Sequence, residues 1–84
     1  MIKNKVIRSS AWVNIDGEQN LASVYQINYG RKVIGFILYT NINGMEDYQP
    51  FLPAGMNKPV EIDFAPVKFD SIEKAVDILV RLHL

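Results

Sequence analysis

The segment that decides how this chain folds is residues 32–40, KVIGFILYT. Side chains alternate between the two faces of a strand, so this segment presents two sets of residues. One set is Val33, Gly35, Ile37 and Tyr39, and the other is Ile34, Phe36 and Leu38. Both sets are apolar, which is typical of a central strand covered on both faces. The β-branched and aromatic residues, with turn residues at both ends, favour this strand over a short buried helix.

The residues before this segment predict two more strands. Residues 6–15 alternate between apolar and polar side chains, and Asp16-Gly17 then supplies a hairpin turn signal. Residues 21–29 alternate again, and Gly30-Arg31 leads into the central strand. Three strands joined by short turns form an antiparallel meander.

The segment 41–59 allows two interpretations. Asn43-Gly44 is a typical type I′ turn and would return residues 45–49 as an extra strand. Three prolines and two glycines instead favour a long irregular loop across the surface. Alternation resumes over residues 60–64, until Pro66 ends it or places it at a sheet edge.

The C-terminal residues predict an amphipathic helix. Asp70 is positioned to cap it, with Glu73 completing a capping box. A wide apolar arc follows on the helical wheel, formed by Ile72, Ala75, Val76, Ile78, Leu79, Val80 and Leu82. Such an arc fits either a groove on the sheet or a flank that meets a second chain. The sequence therefore predicts one α+β domain over residues 1–84, an antiparallel β-meander of four or five strands with one helix packed on one face.

The amino-acid composition limits the classes of function that this chain can have. The chain has nine basic and nine acidic residues, so its formal charge of zero argues against a general nucleic-acid binder. It has no cysteine, which excludes disulfides and the thiolate ligands of common zinc sites. We find neither a signal-peptide pattern nor an apolar run long enough to span a bilayer, and therefore expect a cytoplasmic protein.

No pattern of residues predicts catalysis, a metal site or a cofactor. The only histidine, His83, falls in the apolar arc without partners at ligand spacing. The acidic residues form three close pairs: Asp16 with Glu18, Glu46 with Asp47, and Glu61 with Asp63. A carboxylate pair on one strand face is more typical of a solvated surface than of a site. A small enzyme with a carboxylate-based site is therefore kept only as a second alternative.

The first alternative is a nucleic-acid-binding module. Tyr25 and Tyr29 share a strand face, as do the stacking residues of sheets that bind single strands, and Arg8, Arg31 and Lys32 are nearby cations. The two tyrosines also share their face with Leu21 and Ile27, which is typical of a core. Nucleic acid is therefore not the expected partner.

The strongest signal is a surplus of apolar surface. One helix covers one face of the sheet, yet the central strand is apolar on both faces. Loop residues could cover the second face; otherwise it would contact another protein chain. We therefore predict a non-catalytic protein-interaction or regulatory module, a homodimer that also binds another protein. The candidate contact residues are Trp12, Phe36, Leu38, Met45, Tyr48, Phe51 and Leu52, with Trp12 and Phe36 as the anchors and the helix flank at Ile78 and Leu82 as the next candidate.

Overall fold

A computed structural model describes residues 4–15, 17–53, 59–61 and 68–84. These residues form a five-stranded antiparallel sheet in the order β1-β2-β3-β4-β5, followed by one helix. The elements are β1 (Asn4–Ile15), β2 (Glu18–Tyr29), β3 (Lys32–Ile42), β4 (Met45–Pro53), β5 (Pro59–Glu61) and α1 (Ile72–His83). The predicted α+β meander with a C-terminal helix is confirmed.

The turn between β3 and β4 decides between the hairpin and the irregular loop, the two interpretations that the sequence allowed after residue 41. Asn43 and Gly44 have φ angles of 53° and 83°, as a type I′ turn requires. The hairpin interpretation is therefore correct, and β4 continues past the predicted residue 49 to Pro53. Pro50 lies inside β4, opposite Ile37. The strand predicted over residues 60–64 corresponds to β5, whereas residues 62–64 and Pro66 lie outside the described residues.

A β-bulge in β3 changes the predicted faces of two residues. Ile27 pairs with Gly35 and Asn28 pairs with Val33, so Ile34 is the extra residue on β3. As a result, Ile34 and Gly35 both face the helix. Val33 instead packs on the other side of the sheet. The strict alternation predicted for residues 32–40 is therefore wrong before Gly35 and correct after it.

Two apolar cores lie on the two faces of the sheet. The helix-side core consists of Ile27, Ile34, Ile37, Ala75 and Leu79. The opposite core consists of Ala11, Val13, Val24, Phe36, Leu38 and Phe51. The sheet curves until β1 approaches β5, although no ladder joins these two strands in the described chain. The second face is thus covered by the curved sheet itself, which the sequence did not predict.

The helix begins one residue later than expected. Ser71 is the N-cap, and its hydroxyl accepts a hydrogen bond from the Lys74 backbone N–H at 3.4 Å. The predicted cap, Asp70, instead accepts a hydrogen bond from the Lys74 ammonium at 2.8 Å, which holds the pKa of the Asp70 carboxyl below its usual value. Farther along the helix, Asp77 and Arg81 form an exposed ion pair.

The helix is held against the sheet at Gly35. Ala75 and Leu79 are fully buried. A Cβ atom at position 35 would lie 2.6 Å from Leu79 Cδ2 and 2.7 Å from the Phe51 carbonyl oxygen. Only glycine therefore allows the helix to come this close. Before the helix begins, Phe69 and Tyr48 exchange two backbone hydrogen bonds, which tie the approaching chain to β4.

Replacing Leu79 tests this packing. Leu79→Ala should lower the free energy of unfolding by roughly 2–5 kcal/mol, because it leaves a cavity in the helix-side core. Urea denaturation of the purified domain measures the loss. Leu82→Ala is the matched control, since Leu82 is 43% exposed and should lose much less. A loss below about 1 kcal/mol for Leu79→Ala would contradict the docked helix.

Candidate functional site

Three of the predicted contact residues belong to the core. Phe36 is 1% exposed, and Leu38 and Phe51 are also buried. Their assignment to an interaction surface is wrong, because the curved sheet already covers the face on which they lie. Phe36 in particular is not an anchor for a second chain.

Tyr48 and Leu52 are half-buried and pack on the helix-side core. The Tyr48 ring lies 5.0 Å from the Tyr39 ring, and its backbone is bonded to Phe69. Desolvation, with a smaller effect of the Glu46 carboxylate, raises the pKa of the Tyr48 hydroxyl. Both residues mainly support the helix, and little of either is left to meet a partner.

Trp12 and Met45 are the two predicted contact residues that the structure exposes, at 56% and 71%. Each belongs to a cross-strand pair in which both side chains are exposed: Trp12 lies opposite Leu21, and Met45 lies opposite Ile42. The sequence prediction missed Leu21 and Ile42. The registers implied by the Asp16-Gly17 and Asn43-Gly44 turns would have placed them beside Trp12 and Met45.

The outer edge of β1, which β5 approaches without forming a ladder, is a second feature of the sheet. β1 pairs with β2 without interruption over twelve residues. On its other side the described chain supplies no hydrogen-bonded strand. The nearest one, β5, has three residues and pairs with β4. A long edge without proline or bulge is a template for pairing with another strand.

A groove of about 390 Å³ lies between β1 and the helix. Its lining residues are Asn4, Val6, Ile72, Glu73, Val76, Asp77 and Val80. The valine and isoleucine side chains make it mainly apolar, while Glu73 and Asp77 supply carboxylates. Arg81 pairs with Asp77 at 3.0 Å, whereas Glu73 is exposed to solvent. The groove therefore suits an apolar group that carries a hydrogen-bond donor.

The residues of the nucleic-acid alternative lie in two separate places. The Arg8 guanidinium lies 6.0 Å from the centre of the Tyr25 ring. Arg31 and Lys32 lie beyond the end of β2, which is four residues farther along the strand than Tyr25. Four residues of strand correspond to roughly 13 Å, so these two cations are at least that far along the sheet from Tyr25. The Tyr29 ring between them packs at 5.5 Å against the His83 ring. This arrangement does not favour a continuous stacking platform.

The structure describes only part of the predicted carboxylate pairs. Within residues 4–15, 17–53, 59–61 and 68–84, no three histidine, aspartate or glutamate side chains are grouped to hold a metal ion. Asp16, Asp63 and the Glu61 side chain lie outside the described part, so two of the three carboxylate pairs are not described.

Among the described residues, no helix has the length and apolar character needed to cross a membrane.

Comparisons with family models, with curated proteins and with solved structures find no match to this chain.

The burial of Phe36 gives a direct test of its corrected role. Phe36→Glu should unfold the domain, because a carboxylate in the opposite core has no water or partner to replace its hydration. Thermal melting followed by circular dichroism measures this. Trp12→Glu, which changes an exposed aromatic residue in the same way, should stay folded. A folded Phe36→Glu protein with the wild-type melting temperature would show that the opposite core is open.

Single-stranded nucleic acid provides the test of the first alternative. Binding to a single-stranded oligonucleotide should be weaker than about 100 µM at physiological salt, because the charge is balanced and the cations do not converge. Fluorescence anisotropy of a labelled oligonucleotide measures the affinity. Micromolar binding that weakens steeply with added salt would contradict this expectation. Alanine substitutions of Arg8, Arg31 and Lys32 would then locate the binding surface.

Proposed function

We propose that this chain is a non-catalytic interaction module that acts by binding protein, and that its first partner is a second copy of itself. The observation that carries this proposal is the exposure of Trp12, which lies opposite the exposed Leu21 on the neighbouring strand. Tryptophan is among the residues that most often anchor protein contacts, and two adjacent exposed apolar side chains offer a surface that a second chain can cover.

The geometry of the surface supports binding rather than catalysis. The exposed apolar side chains form cross-strand pairs at Trp12–Leu21 and Ile42–Met45. Flat apolar surface with a polar surround is characteristic of protein contacts, whereas catalytic sites are concave and contain positioned acids, bases or metal ions. A formal charge of zero also leaves little repulsion between two copies.

A second protein partner would need its own surface. The Ile42–Met45 pair at the β3–β4 turn lies on a different hairpin from Trp12 and remains available to it. We assign no chemistry to that partner.

Sedimentation equilibrium tests the homodimer. The weight-average mass should rise from 9.6 kDa towards twice that value as the concentration increases from about 5 to 500 µM. This range is chosen because small interfaces commonly have micromolar affinities. A constant mass of 9.6 kDa over the whole range would contradict the proposed function.

A further inference from the structure

The sheet separates into two hairpins at the end that carries the β1–β2 and β3–β4 turns. β1 and β2 pair over twelve residues and β3 and β4 over seven, whereas the β2–β3 ladder ends at the Val24–Leu38 pair. Residues 18–23 of β2 and residues 39–42 of β3 continue beyond that last pair, and all of them are described. Two neighbouring strands thus part here, while each keeps its partner on the other side.

A small pocket lies where the two hairpins separate, and we call it the inter-hairpin pocket. Its volume is about 100 Å³, and it is lined by Arg8, Ser23, Val24, Tyr25 and Tyr39. A water molecule occupies roughly 30 Å³ in the liquid, so the pocket has room for a group of only a few heavy atoms. It is too small for a drug-sized molecule, which needs roughly 300 Å³ or more.

Four polar side chains of this pocket share the face of the sheet on which the helix lies. Arg8 is directly opposite Tyr25, and Tyr25 is directly opposite Ile37, which belongs to the helix-side core. Ser23 and Tyr39 are each two residues from one of these positions, so the alternation of a strand places them on the same face. Side chains from β1, β2 and β3 therefore line the pocket together.

These side chains supply hydrogen-bond donors and one positive charge. The guanidinium group has five N–H donors, and each of the three hydroxyl groups has one O–H. The Tyr39 hydroxyl accepts a hydrogen bond from Asn41 Nδ2 at 3.3 Å, so its own O–H remains available as a donor. Aspartate and glutamate are absent from the described lining residues. The inter-hairpin pocket therefore suits a small group that accepts hydrogen bonds and carries negative charge.

Arg8 is the charge that such a group would meet. Its guanidinium carbon lies 6.0 Å from the centre of the Tyr25 ring, at the limit of a cation–π contact. The two ion pairs found among the described residues both lie within residues 70–81, and Arg8 takes part in neither. Its charge is thus not neutralised by a described carboxylate at ion-pair distance.

The placement of the donors favours a phosphoryl group over a carboxylate. Arginine binds both groups through two parallel hydrogen bonds, so Arg8 alone does not distinguish them. A phosphoryl group has three acceptor oxygens and can meet the guanidinium on β1 and hydroxyls on β2 and β3 at once. A carboxylate has only two oxygens and would leave part of this donor set without an acceptor.

We propose that the inter-hairpin pocket binds the phosphoryl group of a phosphate monoester, with Arg8 as the charge partner and the hydroxyl groups of Ser23, Tyr25 and Tyr39 as further donors. A small molecule or a phosphorylated side chain of another protein can carry this group. The inference goes beyond the proposed homodimer and does not depend on it, because the lining residues belong to one chain.

A titration with inorganic phosphate, followed by ¹H–¹⁵N NMR, tests the site. Sodium phosphate replaces sodium chloride at constant ionic strength, so that general screening does not change. The amide signals of residues 23–25 and 39 should shift together with a Kd of about 1–10 mM, since an exposed ion pair contributes little affinity. Unchanged signals of these residues up to about 50 mM phosphate would overturn the proposal.

Three variants assign the binding to the pocket. Arg8→Gln should weaken phosphate binding at least about fivefold, and Tyr39→Phe about two- to threefold. Arg31→Gln is the matched control, since it removes an exposed arginine at the β2–β3 turn, and it should change the Kd less than about twofold. An equal loss in both arginine variants would overturn the site, because the attraction would then be to positive charge in general. Arg8 is exposed and Tyr39→Phe keeps the ring, so the same spectra should show folded proteins.

Other anions test the chemistry and the source of the group. Acetate should bind more weakly than phosphate, and acetate binding of equal strength would overturn the assignment to a phosphoryl group. Phenyl phosphate and a phosphotyrosine peptide distinguish the two sources. Similar affinities would support a small-molecule ester, whereas an affinity for the peptide at least about tenfold higher would support a phosphorylated protein. A wild type that stays monomeric would contradict the homodimer and leave this site unaffected.

Discussion

The packing of Leu79 over Gly35 is the contact on which the rest of the structure depends. The helix can reach the sheet only where one strand lacks a side chain, and Gly35 provides that place on the same face of β3 as Ile37. The bulge adds the Ile34 side chain to this face. A bulge also increases the local twist of the strands that carry it. The same extra residue thus has two consequences, since it adds an apolar side chain to the helix-side core and contributes to the curvature that buries Phe36 on the other face. A larger residue at position 35 would affect both cores, because its Cβ would also press on the Phe51 carbonyl oxygen.

Local signals in the sequence predicted most of the fold. Alternating side chains, the Asp16-Gly17 and Asn43-Gly44 turns, and the apolar arc after Asp70 identified the strands and the helix. Curvature could not be predicted in this way, because it arises from twist accumulated over many strand pairs. The bulge was also missed, since Val33 and Ile34 are both apolar and β-branched and the pattern looks the same in either phase. The N-cap was predicted at Asp70 and lies at Ser71. The two positions could not be distinguished, because they are adjacent and both residue types are good N-caps.

The curvature, which the sequence did not predict, changed the predicted contact surface more than it changed the predicted fold. Phe36, Leu38 and Phe51 were assigned to a partner on the assumption that the sheet was open, and the structure buries all three. Trp12 is exposed because it lies on the other face of β1 from Ala11 and Val13, which are buried in the opposite core. It therefore does not share a face with Phe36, with which the sequence had grouped it. A curved sheet therefore leaves much less apolar surface exposed than an open one. What remains is a small number of exposed apolar side chains, among them Val6, Trp12 and Leu21, in place of a whole exposed face.

The sequential order of the strands also affects how the chain folds. Each strand of the sheet pairs with its neighbour in the chain, so every hairpin closes a short loop at a small cost in entropy. Pairing between strands that are adjacent in the sequence lowers the contact order, and folding rates are higher for proteins of low contact order. The contacts of the helix with β3 and β4 and the approach of β1 to β5 are different, because they join segments that are far apart in the sequence. They close longer loops at a larger cost in entropy, so we expect them to form after the hairpins.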